Sequence, residues 1–205
     1  KDTDSVKFIA DLGLKGTRFS VDGIETVLSL PGRYNYKNAL GAIALAQVLG
    51  LTSQQIADGI RNLEPMFGRS QVIDGKYTYV QDCYNANPDS MEKAIEFLSS
   101  VSDGRKKIFV LGDMLELGDD SAKEHEKAGL LASESSADVV VFSGDEMKAA
   151  YDACSRAGKT CFYFEGRSDD SMKAIAAKVV ECVPESSIVL VKGSRGMGLE
   201  RVVKL

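Results

Sequence analysis

Soft metal ligands are scarce in this 205-residue chain: it has one histidine, His125, and four cysteines, Cys83, Cys154, Cys161 and Cys182, with no C-x-x-C spacing among them. Neither a zinc centre nor a Cys-His nucleophilic pair is expected, and the cysteines read as free thiols. No metal site is read from the sequence. Basic residues are the minority, 25 against 30 acidic, for a net charge of −5. That balance offers no extended positive face, which argues against a nucleic acid or a membrane surface as partner. No run approaches the roughly 18 apolar residues of a membrane span, and no secretory signal precedes the first strand, so a cytoplasmic protein is expected.

Two familiar phosphate motifs are missing as well. Gly158-Lys159-Thr160 ends like a P-loop, but Ala153 stands where the earlier glycine belongs and the segment leads into a strand. Gly193, Gly196 and Gly198 are spaced G-x-x-G-x-G, which is not the dinucleotide fingerprint, so NAD and FAD are not expected. The chain opens on Lys1-Asp2-Thr3-Asp4 without an initiator methionine and reads as part of something longer.

With 44% hydrophobic and 27% charged residues, what is present suits a sizeable folded core. Three short strands are expected over Val6–Leu12, Thr17–Val21 and Ile24–Leu30, the last two joined by an Asp22-Gly23 hairpin turn. After the break at Pro31-Gly32 a helix is expected from about Asn35 to Leu49, and Thr52 with Gln55 has the spacing of a capping box for a second. Asn35 and Asn38 open the first helix on one face. One of them is expected to cap it, leaving the other free for recognition. Periodicity then changes from helical to alternating across Met66–Ser70, which marks a boundary.

Beyond it, paired strands over Gln71–Gln81 with an Asp74-Gly75 hairpin lead into regular alternation. Helices are expected near 89–101, 121–135, 145–157, 169–182 and 198–204, with strands near 106–111, 138–143, 160–164 and 187–192. Continuous apolar strands such as Lys107–Leu111 and Asp138–Phe142 imply cover on both faces. The class is therefore α/β, a Rossmann-like open and mainly parallel sheet preceded by a strand-and-helix segment.

Ligands of such sheets gather at the carboxyl ends of the strands. Four loops fall there. Asp82–Pro88 offers a carboxylate, a phenol and two carboxamides, Asn85 and Asn87, suited to a base and a ribose, though also to a simple polar turn. Gly112–Gly118 brackets Asp113 and Glu116 between glycines, and Ser143-Gly144-Asp145 reads as a helix cap. Val191–Gly198 carries Lys192, Ser194 and Arg195 ahead of a helix, an arrangement suited to an anion. His125, between Glu124 and Glu126, reads as a packing or surface residue, and Arg69 lies at the boundary, within reach of a ligand held between the two parts.

Together, Leu30–Leu40, Gly68-Arg69, Asp82–Met91, Val110–Gly118 and Lys192–Arg195, in that order, resemble the Mur ligase family of peptidoglycan synthesis. The resemblance implies the tail of a central ATPase domain over 1–68 and a C-terminal Rossmann-like domain over 69–205. It implies ATP and Mg2+, with the P-loop and magnesium ligands in N-terminal and central segments of the same protein that precede Lys1. The stretches Tyr84–Pro88 and Gly112–Gly118 point to members that add D-alanyl-D-alanine to UDP-N-acetylmuramoyl-tripeptide through an acyl phosphate. By the same resemblance Asn38 contacts adenine, Arg69 the phosphates or ribose, and Asp82 the ribose hydroxyls. Tyr84, Asn85 and Asn87 line the nucleotide side, and Lys192, Ser194 and Arg195 lie near the dipeptide carboxylate. The family usually has histidine where Tyr34 stands. A sister ligase with another amino-acid substrate, and a non-catalytic nucleotide-binding module, are the alternatives.

Overall fold

A computed structural model describes residues 5–204, and the chain divides into two units between Met66 and Phe67. In the first unit β1 (Val6–Asp11), β2 (Thr17–Val21) and β3 (Ile24–Leu28) form an antiparallel sheet in that order. Asp22 and Gly23 both take positive φ, 47° and 84°, and Val21 pairs with Ile24. This is the two-residue turn whose twist matches that of the flanking strands. Helices α1 (Arg33–Val48) and α2 (Ser53–Arg61) bury Tyr36, Ile43, Ile56 and Ile60 against Val6, Phe19, Val21 and Leu28. The Thr52–Gln55 capping box closes in both directions at the start of α2.

Neither asparagine caps α1. The helix starts two residues earlier than expected, with Gly32 at the N-cap, so Asn35 lies inside the first turn and its amide donates back to Pro31 O at 2.8 Å. Toward its C-terminal end α1 leaves apolar side chains open: Leu45, Val48 and, just past the helix, Leu49 are 60%, 84% and 70% exposed.

The second unit holds one six-stranded sheet. Strands β4 (Gln71–Asp74) and β5 (Thr78–Asp82) make its antiparallel edge, and α3 (Pro88–Ser100), β6 (Lys107–Gly112), α4 (Ser121–Glu134), β7 (Val139–Ser143), α5 (Met147–Arg156), β8 (Cys161–Phe164), α6 (Asp169–Cys182), β9 (Ile188–Lys192) and α7 (Glu200–Val203) follow. The edge hairpin has a three-residue loop, 75–77, in place of a two-residue turn, because Asp74 pairs with Thr78 and Gly75 does not take positive φ. The helix expected over 198–204 is shorter: a 3-10 turn, Arg195–Met197, precedes the four residues of α7.

Strand order is β4-β5-β9-β6-β7-β8, parallel except at β4. Helices α3, α4 and α5 carry the chain stepwise in one direction across the sheet, whereas α6 returns it. Right-handed crossovers therefore put α6 on the opposite face. There Met172, Ile175 and Val179 of α6 and Val202 of α7 pack on Val110, Val141, Val189 and Val191. Double cover explains why every residue of β6, β7 and β9 is buried. Among the described residues no helix is long and apolar enough to cross a membrane.

On the face shared by α4 and α5 the helices meet at Gly129, where an added Cβ would overlap the Ala150 backbone. Gly129→Ala is expected to lower unfolding free energy by about 1–3 kcal/mol, since a backbone cannot step aside as a side chain can. Denaturant midpoints measure this.

Candidate functional site

The returning strand β9 inserts between β5 and β6, and it leads to α7 on one face while its neighbours lead to α3 and α4 on the other. In open α/β sheets the strand ends at such a divergence are where ligands bind. Asp82, ending β5, and Lys192, ending β9, are register partners there. Lys192 is 1% exposed, and its Nζ donates to Asp82 Oδ2 at 2.7 Å and to Asn85 O at 3.4 Å. The other Asp82 oxygen accepts the Ser70 N–H at 3.1 Å. Two residues assigned to different ligands by the family resemblance thus form one ion pair.

Outside this pair the side chains face solvent. Tyr84, Asn85, Arg69 and Arg195 are exposed. The Arg69 guanidinium lies 4.3 Å from the Tyr84 ring centroid, and that of Arg195 lies 5.7 Å from Tyr84 and 5.0 Å from Phe67. Among the described residues neither arginine is ion-paired with a carboxylate. Two guanidiniums standing on aromatic faces have the chemistry that phosphates and carboxylates bind. Asn87 has a local duty: its side chain accepts the Ser90 N–H at 2.8 Å while Ser90 Oγ accepts the Asn87 N–H at 3.1 Å, capping α3, whose first residue is Pro88. Asn38 belongs to the first unit, exposed on α1.

Ser194 is 5% exposed and joins three loops. Its hydroxyl accepts the Leu115 N–H at 2.9 Å and reaches Ala86 O at 3.4 Å, and its own N–H donates to Asp113 O at 3.0 Å. The glycines nearby serve packing: a Cβ on Gly193 would fall 2.8 Å from Leu199 and 3.2 Å from the Gly112 backbone. No helix dipole serves this loop, because a 3-10 turn intervenes and the four residues of α7 align too few peptides. Its exposed charge is the Arg195 side chain.

His125 is fully buried, its Nε2 accepting the Met114 N–H at 3.0 Å. An accepting Nε2 leaves the proton on Nδ1, which donates to Ser121 O at 2.8 Å. The histidine therefore shapes the 112–118 loop from inside. Ser143-Gly144-Asp145 supplies no cap to α5. Asp113 reaches across from the neighbouring loop instead, and its Oδ1 accepts the Met147 N–H at 2.8 Å. Sequence spacing gave no signal for this pairing over 34 residues. Burial, followed by the charges of Glu200 and Asp82, pushes the Cys83 thiol up to about 12, so it carries no nucleophilic thiolate at neutral pH. Among the described residues no cluster of three or more His, Cys, Asp or Glu side chains is placed to hold a metal. The described residues thus do not fit the magnesium that the resemblance implies.

Residues 68–195, which include the ion pair, Tyr84 and Arg195, match the family described as Mur ligase, glutamate ligase domain. The chain belongs to the Mur ligases. It is 38% identical over 197 residues to the UDP-N-acetylmuramoyl-tripeptide–D-alanyl-D-alanine ligase of Treponema pallidum (strain Nichols), covering 96% of this chain and 42% of that protein. The ligase of the same name from Bacillus subtilis (strain 168) is 34% identical over 93% of this chain and 42% of its own length. A crystal structure of MurF from Acinetobacter baumannii superposes with a TM-score of 0.83 at 26% identity, over 98% of this chain and 44% of that one. The chain thus spans about two-fifths of these Mur ligases.

Burial raises the Asp113 carboxyl above the usual carboxylate range, only partly offset by the Met147 N–H. Because the folded state binds that proton more readily than the unfolded state, this group penalises stability at neutral pH and the penalty fades as pH falls through the raised value. Asp113→Asn, which keeps the acceptor, is expected to match or exceed wild-type stability at pH 7, with the gap closing on acidification. Asp113→Ala loses the cap and is expected to cost about 0.5–2 kcal/mol. Thermal melts of the three proteins across pH 4–7, roughly the carboxylate titration range, measure both effects.

Proposed function

We propose that the exposed side of this sheet end is one wall of the active site of an ATP-dependent ligase. The reaction joins D-alanyl-D-alanine to UDP-N-acetylmuramoyl-tripeptide in the cytoplasm. The observation that carries the reading is the grouping of two carboxylate-free guanidiniums, Arg69 and Arg195, around Tyr84 beside the Asp82 carboxylate. Phosphates and carboxylates are what such guanidiniums bind, and a carboxylate with lone pairs to spare accepts from ribose hydroxyls.

In this reading Asp82 takes the ribose, Arg69 the ribose or phosphates, and Tyr84 and Asn85 the nucleotide edge, with Asn87 fixing the turn beneath them. Arg195 takes the dipeptide carboxylate, and Lys192 and Ser194 hold its loop. Cations here neutralise charge that develops as an amine displaces phosphate from an activated carboxyl group. The exposed apolar side chains at the C-terminal end of α1, Leu45, Val48 and the adjoining Leu49, support assigning the first unit to a larger domain that would cover them.

The test uses the full-length protein carrying this chain. It should release phosphate from ATP only with both tripeptide and dipeptide present, and Asp82→Ala should raise the KM for ATP about tenfold or more. The 205-residue chain alone, lacking a P-loop, should release none. Turnover by the short chain, or an unchanged KM in the variant, would remove these roles.

A further inference from the structure

A lysine at the end of a strand and 1% exposed is an expensive arrangement unless its charge is matched. Lys192 meets that condition through Asp82 on one side and the Asn85 carbonyl on the other. The next residues continue inward: Gly193 lies against Gly112, and Ser194 bonds to the 82–88 and 112–118 loops. Arg195 is the first side chain of this loop to emerge. For Lys192 to reach a ligand carboxylate it would have to abandon Asp82 and leave the strand that buries it.

We infer that Lys192 is a positioning residue for two ligand sites at once and touches neither ligand. Through Asp82 it sets the carboxylate and the turn that present Tyr84 and Asn85 to the nucleotide. Through the strand end it fixes the base of the loop that aims Arg195 at the second anion. The ion pair couples these two faces, since any shift of Lys192 displaces both. Its kinetic consequences rest on the ligase reading above, whereas its structural consequences do not.

Two experiments test it. In the 205-residue chain, lysine-selective proton–nitrogen NMR should show a slowly exchanging Lys192 ammonium signal that moves or vanishes in Asp82→Asn; a signal indifferent to that change overturns the inference. Melting temperatures extend the same arm. Asp82→Asn leaves a buried ammonium unpaired, so Asp82→Asn with Lys192→Met should melt above Asp82→Asn alone. A double variant that melts below both singles overturns the pairing.

In the full-length ligase, Lys192→Met should raise KM for the nucleotide and for the dipeptide together, each about tenfold, whereas Arg195→Met should raise that of the dipeptide alone. A rise confined to the dipeptide in Lys192→Met would make Lys192 a contact residue and sink the proposal. Absence of ligase turnover in the unmodified full-length protein would sink the ligase reading instead, leaving the NMR and melting results to decide the positioning role.

Discussion

The buried ion pair between Asp82 and Lys192 is the interaction on which the carboxyl edge of this sheet depends. It joins two strands that are neighbours in space and 110 residues apart in sequence. One carboxylate and one ammonium anchor the Ser70 turn, the Asn85 carbonyl and the ends of both strands. A desolvated charge tolerates little freedom in where its partner stands. The pair therefore sets the geometry of the surface above it, to which Lys192 itself contributes almost nothing.

Around it the edge separates into an inner and an outer set. Lys192, Ser194, Asp113 and His125 face inward and tie loops together, while Arg69, Tyr84, Asn85 and Arg195 face out. The inner set satisfies backbone N–H groups of Leu115, Met147 and Met114 that would otherwise be stranded beneath the loops. Loops stitched in this way present guanidiniums and an aromatic ring at fixed spacing. Preorganisation of that kind lets a site recognise an anion without ordering itself first.

Much of the fold was legible because its signals are local. Continuous apolar runs announced the doubly covered strands β6, β7 and β9, and Thr52 with Gln55 marked the start of α2. Expectations slipped where a local signal had a competitor. Asp74-Gly75 has turn composition, but the pairing of Asp74 with Thr78 needed a longer loop. Asn35 has cap chemistry, but the Pro31-Gly32 break started the helix before it. Gly193 lies in a loop of anion-binding composition, but its missing side chain makes room for Leu199 and Gly112.

By itself the sequence determined the α/β alternation, the four loops at the strand ends and the family resemblance, all of which depend on neighbouring residues or on ordered motifs. Only the tertiary structure decided which polar residues of those loops are spent on one another. Lys192 and Arg195 stand three positions apart with like charge, and composition cannot rank them. The insertion of β9 between β5 and β6 buries the first against Asp82 and leaves the second in solvent. The same insertion brings Ser194 to Leu115, and the pairing of β6 with β7 brings Asp113 to the start of α5. Such pairings depend on strand order, and strand order is a property of the whole sheet that no single segment encodes.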